Sequence, residues 1–243
     1  MTLDLIFPFY NPLPGWEQAF VENINKLVHD HFKGDEEFIN IIVINDGSKH
    51  GFAEREMRFL EENIPKIRII SYQENLGKGY ALRWGISAST ADYCIYSDGD
   101  FPFGTGIIRK IYERLREGMD IVIGCRMDGN YFRYLPWKRK VTSKGLIFIN
   151  KYVLRLPIAD TQAGIKGFNQ TGRSLFLRTS INRFLFDMEF IWIASRVKHV
   201  KIHRIKVDIT RDVKVTNFNN RILRQELANL VFFLIRKYAK HQQ

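Results

Sequence analysis

"FINIIVINDGS", residues 38–48, sets an apolar run directly in front of a polar turn. A strand that is apolar on both faces is covered on both faces, and such strands belong to mostly parallel sheets sandwiched between helices. The pattern recurs in "LDLIF" (3–7), "KIRIISY" (66–72), "YCIYS" (93–97) and "DIVIGC" (120–125). Longer runs with helical spacing lie between them, at 15–31, 52–62, 77–89 and 105–117. This alternation predicts an α/β fold with a mostly parallel central sheet flanked by helices. The second half is less regular. Its spacing predicts a basic helix over 137–155, a short strand over 164–169, helices over 172–178 and 185–197, a strand over 201–209 and a last helix from about 219. No Pro/Gly/Ser-rich linker separates the halves, so one domain is expected over 1–215, with a basic amphipathic helix over 216–243 packed on it.

A chain of 243 residues with 45% hydrophobic and 26% charged residues has the composition of a folded domain with a sizeable core, which argues against a disordered one. Its 37 Lys and Arg outnumber 26 Asp and Glu, favouring acidic partners: phosphate-bearing ligands, nucleic acid or an anionic membrane. The basic residues are dispersed and match no nucleic-acid module, so a basic nucleic-acid-binding protein is a remote alternative and no nucleic-acid partner is expected. Cys94 and Cys125 sit inside apolar strand runs, which suits buried free thiols in a reducing compartment. The N-terminus enters a strand at once and no apolar run approaches the roughly 18 residues of a membrane span. The expectation is a cytoplasmic protein. His29 and His31 are two apart and face different ways on a helix, so no zinc site is expected.

Ligands of open α/β sheets bind outside the carboxyl ends of the strands. Pro8 and Asn11 follow the first strand, Asn45 to Ser48 the second, Asn75 to Lys78 the third, Asp98 and Asp100 the fourth and Arg126 the fifth. The five clusters should therefore line one rim. Asp98-Gly99-Asp100 reads either as a turn or as two hard oxygen donors for Mg²⁺ or Mn²⁺, with Gly99 supplying the bend. Pro102 and Phe103 exclude an EF-hand loop. Asp46 either forms an Asx-turn or accepts hydrogen bonds from a base or ribose. "NLGKGYALRWG" (75–85) is neither a P-loop nor a dinucleotide fingerprint, since Leu82 stands where the last glycine is needed. Lys78 or Arg83 can still meet phosphate or base, the bland reading of Arg83 being a solvated helix residue. In "KRKVTSKG" (138–145), Arg139 and Ser143 are four apart and share a helix face, which is either solvated or phosphate-binding. Asp187 and Glu189 in "FDMEF" (186–190) are candidate bases or helix caps. Arg211 and Lys214 fall in a loop.

Taken in order, "FPFYNP", "VINDGS", "NLGKGYALRWG", "YSDGD", "GCR", "RKVTS", "DTQAGIKGFNQ" and "FDMEF" resemble the inverting family-2 glycosyltransferases, specifically the dolichyl-phosphate mannose synthase and dolichyl-phosphate glucosyltransferase branch. The resemblance runs from about residue 3 to 215 and implies the GT-A nucleotide-diphospho-sugar transferase fold. It further implies inverting, metal-dependent transfer of a hexose, glucose or mannose, from a UDP-sugar or GDP-sugar to a polyprenyl phosphate, dolichyl or undecaprenyl. By resemblance, Pro8, Tyr10, Asn11 and Asp46 lie around the nucleotide base and ribose with Lys78 and Arg83 nearby. Asp98 and Asp100 serve ribose, Mg²⁺ or Mn²⁺ and diphosphate; Arg126, Arg139 and Ser143 match acceptor-phosphate positions; Arg211 and Lys214 match a loop closing on the donor. Pro102 stands where mannose-synthase relatives often carry a metal-binding Gln. If the acceptor is instead a hydroxyl of a capsule, lipopolysaccharide or other cell-surface glycan, a base is needed, and Asp187 is the first candidate. The last helix sets Leu223, Leu227, Leu230, Leu234 and Tyr238 on one stripe, for core packing, a dimer contact or a membrane surface. Oligomeric state is left open.

Overall fold

Seven strands hydrogen-bond in the order β3-β2-β1-β4-β6-β5-β7 in a computed structural model that describes residues 1–126, 137–208, 226 and 228–235. They are β1 (Leu3–Phe9), β2 (Ile39–Asp46), β3 (Ile67–Tyr72), β4 (Tyr93–Tyr96), β5 (Ile121–Cys125), β6 (Lys166–Asn169) and β7 (Ile202–Lys206). Successive side chains of a strand point to opposite faces. Leu3, Leu5 and Phe7 of β1 and Ile41 and Val43 of β2 enter one core, while Ile6, Ile42 and Ile44 enter the other. The double-sided apolar runs thus become a sheet with a core on each face.

The first core is closed by α1 (Trp16–His31), α2 (Glu54–Asn63) and α4 (Gly106–Arg116), through Phe20, Ile24, Leu60, Ile108 and Ile111. The second is closed by α3 (Lys78–Ser87), α6 (Gln170–Phe176) and α7 (Phe186–Ala194), through Leu82, Phe176, Phe186 and Phe190. Onto it also pack Leu146 of α5 (Trp137–Phe148), Ile149 of the π-helical turn Ile149–Val153, and Leu230 and Leu234 of the helical residues 228–235. Phe233 meets Trp192 edge-on at 5.2 Å. Glu226 is helical too and accepts the Leu185 N–H at 3.1 Å, and the remaining residues of the expected last helix lie outside the described ones.

One strand runs against the others. β6 pairs antiparallel with both β4 and β5, setting Lys166 opposite Tyr96, whereas all other pairs are parallel. Its first residue therefore lies at the same edge as the last residues of the parallel strands. The segment before it, Asp160–Ile165, reaches the rim from the second half of the chain. Cys94 and Cys125 are buried free thiols, and burial pushes both up to about 11. No helix among the described residues is long and apolar enough to cross a membrane.

Candidate active site

The rim is built outward from Asp46, the last residue of β2. Its carboxylate accepts the backbone N–H groups of Leu76 (2.8 Å) and Gly77 (3.0 Å), the Tyr72 hydroxyl (2.9 Å) and the Asn75 amide (2.8 Å). Burial raises its pKa, against the pull of these hydrogen bonds. Asp46 thereby folds the 75–77 turn, and that turn starts α3 with Lys78 aimed at the next strand. Asn11 is similar: its side-chain oxygen accepts the Lys49 N–H at 2.7 Å, and its own N–H donates to Ser48 Oγ at 2.9 Å. Pro8 lies within β1, one residue before its end, and Tyr10 is exposed beyond it.

Lys78 pairs with Asp98 Oδ1, just beyond β4. Burial works to lower the Lys78 pKa, but the charges of Asp98 and then Asp187 outweigh it, so the ammonium is held above its usual value. Asp100, two residues after Asp98, is exposed as a residue while its carboxyl is partly turned from water. Withdrawal of its carboxyl from water first, and the charge of Asp98 second, raise its pKa. Asp98 to Phe101 forms a turn, closed by the Phe101 N–H donating to the Asp98 carbonyl at 3.1 Å, with Gly99 inside it but not at a left-handed φ. A side chain at Gly99 would overlap the Phe9 ring, so this glycine makes room for packing. The left-handed residue is Phe101 (φ 47°), held there by its buried ring against Phe7 (5.2 Å) and Phe20 (5.9 Å).

At the end of β5, Arg126 is engaged by Asp160: Nε donates to Oδ2 at 3.0 Å, an Nη donates to Oδ1 at 2.6 Å, and the Arg126 backbone N–H donates to Oδ2 at 2.8 Å. Burial works to raise the Asp160 pKa, and the Arg126 hydrogen bonds and charge overcome it, leaving it below the usual carboxylate range. Arg83 is turned to the 179–182 segment, donating to the Ile181 carbonyl (2.8 Å), to Thr179 and to Asn182. Glu189 accepts from the Ser180 N–H and hydroxyl and the Ile181 N–H, all at 2.8 Å, and so closes the same segment. Asp187 sits under the rim, 4% exposed, accepting from the Tyr96 hydroxyl and lying 2.7 Å from the Lys166 ammonium. That environment suits a charge partner better than a base open to a sugar hydroxyl. Ser143 is half-buried on α5 and Arg139 falls on the same helix; the Arg139 side chain, Arg211 and Lys214 lie outside the described residues.

The resemblance sets "DTQAGIKGF" (160–168) beside the active site, but two of its residues were not singled out from the sequence. Gly164 presses on Asp98: a Cβ there would overlap Asp98 Oδ2 and come within 3.3 Å of Lys78 Nζ. Lys166 is fully buried beneath it. The available signal was "DTQAGIKGF", whose one lysine stands in an otherwise buried apolar run.

The donor set fits a divalent ion only in part. Asp98 and Asp100 are hard oxygen donors whose mutual repulsion a cation would relieve. Among the described residues no group of three or more His, Cys, Asp and Glu converges, and the Pro102 side chain offers no donor. An ion held by Asp98 and Asp100 would take its other ligands from water and a bound diphosphate.

A sequence profile described as glycosyl transferase family 2 matches residues 4–184. A dolichyl-phosphate beta-glucosyltransferase of Dictyostelium discoideum is 29% identical over 225 residues, covering 86% of this chain and 66% of that protein. The chain thus spans about two thirds of the length of the curated relatives it matches. Among solved structures, mannosyl-3-phosphoglycerate synthase from Rubrobacter xylanophilus superposes with a TM-score of 0.68 at 15% identity, over 100% of this chain and 75% of that one. Glucosyl-3-phosphoglycerate synthase from Mycobacterium tuberculosis, crystallised with Mn²⁺, UDP and phosphoglyceric acid, gives 0.63 at 15% identity, over 96% and 78%. These likenesses bear on the fold, which is GT-A.

Proposed function

The chain belongs to glycosyl transferase family 2, and from that premise we propose that it transfers a hexose, with inversion, from a UDP-sugar or GDP-sugar to a polyprenyl phosphate. The observation that carries the reading is the charge arrangement at the strand ends: Asp98 and Asp100 side by side, with Lys78 locked onto Asp98. Open α/β sheets take nucleotides at this edge. Mg²⁺ or Mn²⁺ held by Asp98 and Asp100 would supply positive charge to the diphosphate leaving group. Lys78 adds a fixed ammonium beside it, which needs no reorganisation as negative charge develops. Tyr10, exposed just beyond β1, and Pro8 and Asn11 border the region assigned to base and ribose, with Arg211 and Lys214 as further donor contacts, whereas Arg83 is engaged by the 179–182 segment.

Three considerations favour a phosphate acceptor. A phosphate is anionic near pH 7 and needs cations to position it rather than a base, a task that suits Arg126, Arg139 and Ser143. A glycan hydroxyl would need a base, and Asp187 is committed to Lys166 and Tyr96. The named relative acts on dolichyl phosphate, and its likeness covers most of this chain. A lipid acceptor also calls for a membrane surface, assigned in this reading to the cytoplasmic face. Trp137, Val141, Phe148 and Tyr152 are each 58–69% exposed and recur at helical spacing along α5 and the π-turn. Lys140, Lys144 and Lys151 follow the same spacing on the adjacent strip.

The deciding experiment incubates the protein with a panel of UDP- and GDP-sugars and polyprenyl phosphate, with and without Mn²⁺ or Mg²⁺, and measures lipid-linked sugar. Product with one donor, lost in Asp100→Ala and Arg139→Ala, is expected. Full transfer by Arg139→Ala would overturn the acceptor assignment, and transfer to a glycan with none to lipid would overturn the lipid reading.

A further inference from the structure

We propose that Lys166 is a positioning residue for the donor site, holding the Ala163–Gly164 backbone against Asp98 so that the Asp98–Lys78 pair is fixed before a ligand arrives. The inference rests on the donor-binding role just proposed for Asp98. Lys166 has no exposed surface, so it cannot touch a substrate and can act only through its neighbours. Its ammonium donates to the Ala163 carbonyl at 2.8 Å and lies 2.7 Å from Asp187 Oδ1. The residue after that carbonyl is Gly164, whose backbone abuts Asp98 Oδ2 with no room for a Cβ.

The antiparallel run of β6 is what makes this possible. It sets Lys166 opposite Tyr96, two residues before Asp98, and the Tyr96 hydroxyl donates to the same carboxylate that Lys166 meets. Lys166, Asp187 and Tyr96 thus form a buried charged knot directly beneath the rim. A buried ammonium is costly to desolvate and persists only where it is paired. Burial indeed lowers the Lys166 pKa, with Asp187 opposing it, and the charge of Asp187 also helps keep Lys78 charged. A purely structural ion pair is commonly replaceable by uncharged residues of similar volume. If the knot serves position, replacing it should leave the fold and spoil the site.

The test compares wild type with the double variant Lys166→Met/Asp187→Asn, which removes both charges, keeps volume and leaves Tyr96 an acceptor. Binding of UDP and of GDP, each with Mn²⁺, is measured by calorimetry, and donor KM and kcat are measured where turnover is found. The expected result is a folded double variant whose nucleotide affinity falls about tenfold or more, as when supporting shells of metal sites are removed. Donor KM should rise more than kcat falls, and Lys166→Arg, which keeps a cationic donor for the Ala163 carbonyl, should recover most of the binding. A folded double variant that binds like wild type overturns the proposal. If the double variant does not fold, Gly164→Ala probes the same contact from its other side, and unchanged binding there also overturns it. A wild-type protein that binds neither nucleotide overturns the donor reading and this inference together, whereas wild-type binding with unaffected variants overturns this inference alone.

Discussion

The Arg126–Asp160 pair shows how a strand-end residue can be read correctly as positive and still have an unseen partner. Arg126 was legible because it stands at the end of the fifth apolar run and closes the motif "GCR". Asp160 was not, because the two are 34 residues apart and only the fold joins them. The same holds for Lys166 and Asp187, whereas Asp46, Asp98 and Asp100 announced themselves as carboxylates at the ends of apolar runs. The pairing has a pH signature. Asp160 titrates below its unfolded value of about 3.9, so its stabilisation is present above that pH and is lost as the pH falls through the lower folded-state value. Asp160→Asn should therefore cost about 2 kcal/mol near pH 7, where it replaces the charged acceptor of three Arg126 hydrogen bonds by a neutral one. The difference from wild type should shrink below about pH 4. Urea unfolding of both proteins from pH 7 to pH 3 measures it, and a gap that does not change with pH would contradict this account. Asp46→Ala is expected to act differently. It frees the 75–77 turn that starts α3, so amide exchange at Leu76 and Gly77 should quicken while the strands stay protected.

Elements were more legible than their directions. Repeated double-sided apolar strands and amphipathic helices gave the alternation, and the observed boundaries fall within a few residues of those expected. The orientation of β6 was not legible, because four residues, "KGFN", carry no signal of direction, and only pairing on both sides fixes it. The predicted helix 137–155 is α-helical only to Phe148 and continues as a π-turn, which the spacing of apolar residues does not resolve. That element carries a prediction of its own. Leu146 and Ile149 face the core, and the opposite side shows Trp137, Val141, Phe148 and Tyr152 beside exposed Lys144 and Lys151. Such a face gains both from burying apolar side chains at a lipid interface and from anionic headgroups. Co-sedimentation with phosphatidylglycerol-containing vesicles should exceed that with phosphatidylcholine alone. Phe148→Ser/Tyr152→Ser should weaken it about tenfold, given the free energy of withdrawing two large side chains partly from water. Lys144→Glu/Lys151→Glu should remove its salt sensitivity. Unchanged binding by both double variants would move the membrane contact elsewhere.

For the whole molecule, the decisive fact is that a parallel sheet delivers every strand end to one edge, while the single antiparallel strand returns the second half of the chain to that edge. Charge is then concentrated where the topology converges. Asp98 and Asp100 stand together, burial and then the charge of Asp98 raise the pKa of Asp100, and Lys78 is paired with Asp98. A nucleoside diphosphate brought to this edge adds further negative charge, while Lys78 and Arg126 are each already paired with a carboxylate in a partly desolvated site. The arrangement therefore predicts that donor binding depends on a divalent ion, although the described residues offer it only two carboxylates. Dialysis against EDTA should weaken nucleotide binding about tenfold or more, and Mn²⁺ or Mg²⁺ should restore it. Asp100→Ala should show the weakened binding already, and EDTA should then have little further effect, because two perturbations of one interaction do not add. If EDTA weakens Asp100→Ala as much as wild type, the ion is held elsewhere. If EDTA leaves wild-type binding untouched, Lys78 and the other basic residues of the rim carry the diphosphate without it.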